Sequence, residues 1–435
     1  MPSRSGQVSL GVNALVTGYL PASWQADGLT ATSFVDPEYW TRIGRIAERG
    51  TLDAVFLADG PALTDPAYDA NPAHLEPTIT WAHVAAATER IGLVATASTT
   101  YNDPVELAER LLSLDILSGG RAAWNIVTTV AAAPARNFGL PEVPHRDDRY
   151  ARAAEFVDLV RALWASAATG QRVAYESERF VVAEGLSTPP SPQGGPVLFQ
   201  AGGSPQGRRL AARLADGVFT AELTKDKAIE HYDLVKRLAE QQGRRAGDIR
   251  ILPGLLLSLG STEEEARRRN DELHDAGPPS YSLGWLSHAI GYDATTLDLD
   301  APFPDEVLEP PKDPGRHPGS LGFRESVIAR IRLTNPTVRE YLHETRYTGS
   351  GHRGFTGTPE QLADFIEDWF HSGAADGFNL QPDVLAEGLE VIVDELVPIL
   401  RRRGLFRHDY AETTLRGNLL GTNTYDETLQ TTTSP

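Results

Sequence analysis

Short apolar runs, nearly all followed by a segment with helical signals, recur along most of this chain. They are Val8–Val16, Asp53–Ala58, Gly92–Thr96, Ala122–Thr129, Pro196–Ala201, Gly217–Ala221, Ile251–Leu259 and Ala375–Leu380. Runs this short, bounded by Gly, Pro and Asp, read as buried strands. The segments between them start helices in a recognisable way: Asp36-Pro37 places a capping carboxylate before a proline with preset φ, and Pro104 precedes Leu107, Leu111 and Leu114 at helical spacing. Successive parallel strands need crossover connections, and helices supply them. Eight such units predict an α/β fold, a closed (β/α)8 TIM barrel. An open doubly wound sheet is the other arrangement these elements allow.

Two stretches break the rhythm. Residues 142–193 carry a long helix, expected from about Asp147 to Ala168, and then a proline-rich stretch, STPPSPQGGP. Residues 277–354 are rich in Pro, Gly and Asp and are expected to form a lid insertion over one mouth of the barrel. The chain, 1–435, is thus read as one barrel domain with a lid at 277–354 and a Thr-rich C-terminal tail at 404–435.

Composition narrows the function. The formal charge of −19 disfavours binding to nucleic acid or to an anionic membrane. Cysteine is absent, which excludes disulfides, thiolate metal sites and a cysteine nucleophile. The eleven histidines form no H-E-x-x-H, so no metal is expected. No apolar stretch reaches membrane-spanning length and no secretory signal is evident, which predicts a cytoplasmic protein.

Barrel enzymes place their chemistry at the C-terminal ends of strands. In this chain those positions hold Asp59, Thr96, Asn125, Thr129, Gly203 and Ser204. Capping and loop solvation explain any one of them; their recurrence at consecutive strand ends points to a polar, mostly uncharged ligand. Strand alternation puts Ala123, Asn125, Val127 and Thr129 on one face, and Trp124 on the other, where it is expected to pack against a helix. QAGGSPQG (200–207) reads as strand, glycine turn and helix start, a cradle for phosphate with Ser204 as cap. GSGHRG (349–354) matches G-x-G-x-x-G but lacks a buried strand before it and a helix opening from it, so it is rejected as a dinucleotide site; the next helix has its own capping box at Thr358–Gln361.

SLDILSGGRAAWNIVTT with NFG (137–139), FLADG (56–60), ATASTTY (95–101), RYARAAEF (149–156), LFQAGGS (198–204) and GTPEQLAD (357–364) resembles the nitrilotriacetate monooxygenase and dibenzothiophene-sulfone monooxygenase branch of the bacterial luciferase-like flavin monooxygenases. The resemblance runs from about Val8 to Leu415. It implies a luciferase-like TIM barrel and a two-component, FMNH2-dependent monooxygenase. Reduced FMN would come from a separate NAD(P)H:flavin reductase, and O2 would oxygenate a small organic substrate. Flavin contacts carried over from the family fall on Asp59, Thr96, Tyr150 and Ser204, with Gly203 near the phosphate; Asn125 and Thr129 would face the flavin. Where the family has histidine four residues before the tyrosine, this chain has Arg146, with His145 one residue earlier; either could serve. A deazaflavin-dependent oxidoreductase and a non-catalytic flavin-binding barrel are the alternatives. A homodimer or homotetramer is expected. Members of the branch act on aminopolycarboxylates, aryl sulfones, alkanes and antibiotic intermediates. The negative charge disfavours a highly anionic substrate, while Tyr281, Trp285, Tyr292 and Phe303 either favour an apolar or aromatic one or simply pack the lid.

Overall fold

The computed structural model describes residues 6–20, 22–60, 62, 74–277, 279–317, 319, 321–346 and 352–422. Eight parallel strands close into a barrel: β1 Ser9–Asn13, β2 Ala54–Leu57, β3 Gly92–Ser98, β4 Ala122–Val127, β5 Val197–Gln200, β6 Gly217–Thr220, β7 Arg250–Leu259 and β8 Gly377–Pro382. Each pairs with its neighbours in chain order. Closure comes from Ser9 of β1 lying opposite Gly377 of β8. The open-sheet arrangement is thereby set aside. A further strand, Arg353–Gly357, pairs parallel with the outer half of β7 and begins on the last two residues of the rejected glycine motif.

The crossover helices begin as their sequences dictate. The caps Asp36, Glu76, Asp103, Ser204 and Thr358 each precede a proline and accept a backbone N–H of the first turn. Two helices are cut short or interrupted. The helix after β2, Pro77–Ala85, stops well before β3. The Glu48 carboxylate draws the Glu89, Arg90 and Ile91 amides to itself and out of helical register. The last helix packed on the barrel is interrupted by a π turn at Ile392–Leu396 that ends two residues before Pro398, which has no N–H to continue the ladder.

The barrel interior is layered. Its lower half is apolar, built from Ala54, Phe56, Val94, Ala123, Val197, Phe199 and Leu252. Phe56 and Phe199 meet edge to face at 4.8 Å, and Gly217 leaves the space the Phe199 ring fills. The tail closes this end. Helix Leu415–Leu420 sets Leu415 and Leu419 into the floor.

Aspartates bind the lower rim together. Asp53, Asp216 and Asp376 each stand at a strand entrance and accept an N–H from the neighbouring strand, from Leu10, Leu198 and Ile251 respectively. Each carboxylate is paired with a cation, in turn Arg407, Arg416 and Lys236. Two of these cations come from the tail, so residues 404–422 are part of the barrel; residues 423–435 lie outside those described.

The insertion is a small helical unit rather than an irregular loop. Helices Pro279–Ile290, Leu321–Thr334 and Val338–Thr345 pack around Leu286, Phe303, Val327, Ile331 and Tyr341, with Trp285 and Tyr292 against them. Buried Arg324 ties the unit together by donating to the carbonyls of Ile290 and Val307. Among the described residues no helix is long and apolar enough to cross a membrane.

Candidate active site

Above the apolar layer the inward positions become polar. On β3 and β4, Thr96 lies opposite Asn125 in register, and Asn125 Nδ2 donates to Thr96 Oγ1 at 3.0 Å. Asn125 Oδ1 is buried without a hydrogen-bond partner. Trp124, on the opposite face, is fully buried; its indole N–H donates to the Ala97 carbonyl at 3.0 Å, as expected of a packing residue.

Thr129, just beyond β4, has φ of 43°. A left-handed conformation is costly for a β-branched residue, of order 1–3 kcal/mol. The Thr129 hydroxyl compensates in part by donating to Ser98 Oγ at 2.8 Å. Val16, beyond β1, has the same strain with φ of 44°. Both strained residues sit at the rim that carries the polar groups, where such strain concentrates.

A second group assembles at the ends of β4 and β5. Ser204 caps helix Pro205–Leu214 by accepting from Gly207 N at 3.1 Å, and its hydroxyl donates to Tyr150 Oη at 3.3 Å. Gly203 is exposed, with open space where a side chain would stand. Gly202 is required for close approach, since a β-carbon there would meet the Gln200 amide and the Gly207 backbone. Tyr150 belongs to helix Arg146–Thr169, whose first turn holds Arg146 and Arg149. Cations at a helix N-terminus oppose its dipole. Arg149 is buried, and desolvation lowers its pKa. Arg146 Nε is buried without a hydrogen-bond partner. Two guanidinium groups, a helix N-terminus and two hydroxyls make this corner receptive to an anion. Asp147 and Asp148 of the same turn are exposed.

His145 is the N-cap of that helix and accepts from Asp147 N. Its Nε2 lies 3.7 Å from Asp313 of the insertion, and Gly315 packs against the ring. The structure thus gives the two family-histidine candidates different surroundings: His145 meets the insertion, while Arg146 lies near Arg149 in the first turn of the helix. Asp59, beyond β2, is partly exposed, 3.3 Å from His74 Nε2.

Other polar residues of the mouth were not singled out from the sequence. Asn13 of β1 and Gln381 of β8 both donate to Tyr19 Oη, each at 2.9 Å. Their oxygens are buried without hydrogen-bond partners, as are both polar atoms of Asn379. His352, from the rejected glycine motif, stacks on Phe219 at 5.0 Å. The rule that found Asn125, a polar residue on the inward face at a strand end, applies equally to Asn13 and Gln381.

Residues 18–376 match the luciferase-like monooxygenase family. The chain is 37% identical to component A of nitrilotriacetate monooxygenase from Aminobacter aminovorans, over 95% of this chain and 96% of that protein. Among solved structures it resembles EDTA monooxygenase from a Chelativorans species, with a TM-score of 0.77, 32% identity and coverage of 96% and 99% of the two chains. It also resembles a riboflavin lyase solved with modified FMN and riboflavin, with a TM-score of 0.83, 29% identity and coverage of 97% and 98%. Agreement over nearly the whole length, in a barrel whose polar groups gather at the strand ends, shows that this chain belongs to the luciferase-like monooxygenase family.

Proposed function

We propose that the protein is the oxygenase component of a two-component system that takes reduced FMN from a separate NAD(P)H:flavin reductase and uses O2 to oxygenate a small organic molecule. The observation that carries this reading is Asn125: a buried amide at the mouth whose Oδ1 has no hydrogen-bond partner within the protein. An orphaned buried acceptor is costly, about 1–3 kcal/mol, unless a ligand meets it. The pyrimidine edge of a flavin ring presents such a partner. Component A of the nitrilotriacetate system supplies the two-component analogy, and the riboflavin lyase the FMN.

Bound FMN in its reduced form supplies the electrons and the reaction with O2. The protein's part is to bind, orient and enclose. Ser204, Gly203, Tyr150 and Arg146 would hold the phosphate, with the helix N-terminus behind them. Thr96, Asn125 and Thr129 would line the ring, with Asp59 on its far side. The strain at Thr129 fixes a rim that need not reorganise when the ring arrives. The insertion, resting on His145, would keep water from the reacting atoms. On this reading His145 serves closure, and Arg146 takes the charge-bearing role. We assign the protein to the cytoplasm and expect a homodimer or homotetramer.

Anaerobic titration tests the cofactor. Reduced FMN should bind with a micromolar or lower Kd and reduced riboflavin more weakly. Absence of reduced-FMN binding overturns the reading.

A further inference from the structure

The mouth has two chemically different halves. The half at β4 and β5 carries Arg146, Arg149 and the capped helix start. The opposite half, at β7, β8, β1 and β2, carries mainly acceptors. Asn379 is fully buried with both amide atoms unpartnered, and it lies between Gly11 and Gly254 in the strand register. Gln381 Oε1 and Asn13 Oδ1 are likewise buried and unpartnered.

His352 completes this wall. A β-carbon at Gly254 would fall 2.5 Å from its Nδ1, so the ring occupies the space that glycine leaves. The Thr220 carbonyl accepts from the ring, and burial lowers its pKa to about 4, so at neutral pH the ring is uncharged. Nδ1 has no hydrogen-bond partner and is then a bare acceptor.

Charge points the same way. The segments after β1, β2 and β8, residues 14–36, 58–76 and 383–384, contain no lysine or arginine, whereas the segment after β7 carries Arg267, Arg268 and Arg269, of which Arg269 pairs with Asp383. The described residues of the three lysine- and arginine-free segments include Asp27, Asp36, Asp59, Glu76 and Asp383. A polyanion entering this half would meet the acceptors of His352, Gln381 and Asn13, which it cannot satisfy, and carboxylates that repel it.

We propose that this half of the mouth selects an uncharged or cationic substrate presenting N–H or O–H donors, an amine, amide or alcohol, and not an aminopolycarboxylate of the kind named for the nitrilotriacetate and EDTA enzymes. The proposal rests on the FMN-dependent reading above. It places His352, Asn379, Gln381 and Asn13 as specificity residues, reading the donors of the substrate.

The test uses the FMN-loaded protein and one skeleton in three forms: phenylacetate, phenylacetamide and phenethylamine, with nitrilotriacetate and EDTA alongside. Binding is followed by tryptophan fluorescence, and turnover by product mass under O2. The amide or the amine should bind about tenfold or more tightly than the carboxylate, and nitrilotriacetate and EDTA should not compete at millimolar concentration. His352→Phe and Gln381→Leu should each bring the amide-to-carboxylate ratio toward one while FMN affinity stays within about twofold. Equal binding of the three forms, preference for the carboxylate, competition by either chelator, or binding by none of the three overturns the proposal. If a variant fails to fold, the wild-type panel still decides. FMN binding is measured first in the same preparation: its absence sinks the FMN-dependent reading, whereas carboxylate preference with FMN bound sinks only this proposal.

Discussion

Asn125 donates to Thr96 across adjacent strands, and the bond holds the amide so that its oxygen, not its nitrogen, is left for a ligand. Two neighbouring inward positions thereby become one oriented acceptor. Replacing Asn125 with Leu removes that acceptor and its desolvation cost together. The apo protein should be as stable as before or more so, while reduced-FMN affinity falls about tenfold, or ~1.4 kcal/mol. Thermal melts and anaerobic titration on the same sample check both directions.

Ser204 caps a helix and touches Tyr150. Ser204→Ala should cost about 1 kcal/mol of stability through the lost cap. It should also weaken FMN while leaving riboflavin affinity nearly unchanged, since only FMN carries the phosphate. Parallel titrations with the two flavins separate the effects; an equal loss for both would remove Ser204 from the phosphate site.

Asp115 is buried beneath β4, where it accepts from Ala122 N and Gln193 Nε2. Burial raises its pKa from 3.8 to about 6. A carboxyl with a raised folded-state pKa adds no penalty below pH 3.8, because both folded and unfolded forms are protonated there. Its penalty grows between pH 3.8 and about 6 and is complete above that, at about 3 kcal/mol. Asp115→Asn keeps an acceptor for Ala122 and removes the ionisation. Its stability relative to wild type should therefore rise from pH 4 to pH 6 and then level off. Urea melts across that range measure it.

Arg416 is buried at the barrel floor, 3.2 Å from Asp216, which itself accepts from Leu198 N. Truncating one partner of a buried pair leaves a charge without compensation. Arg416→Ala should destabilise by about 3–5 kcal/mol, far more than an exposed tail residue would. Denaturant midpoints give the number; a change under about 1 kcal/mol would mean that the tail is dispensable.

Gly315 packs on His145, and a side chain there would collide with the ring. Gly315→Val should lift the insertion from the helix it rests on. FMN affinity should change little, while more of the reduced flavin is oxidised without product, as peroxide release per flavin will show. Unchanged coupling would mean that this contact does not govern enclosure.

The barrel was legible in the sequence because its signals are local. Buried strands read as apolar runs, and Asp-Pro or Thr-Pro pairs announce helix starts through the geometry of a few bonds. Alternation put Asn125 and Trp124 on opposite faces of β4, and the barrel turns Asn125 inward and Trp124 outward. The insertion was located, but its helices were not, because their apolar residues pack on one another rather than on the barrel. That the tail belongs to the barrel was not legible, because Arg407 and Arg416 look like surface charge until their aspartate partners, roughly 350 and 200 residues earlier, are brought to the same rim.

What the sequence by itself determined is therefore the strand and helix order and a set of polar residues at strand ends. Which of those polar groups would remain unsatisfied was decided only by closure of the barrel. Closure sets β8 beside β1, gives Asn13 and Gln381 a common partner in Tyr19, and buries Asn379 between two glycines with none. Hydrogen-bond satisfaction depends on neighbours distant in the chain, and no local pattern encodes it.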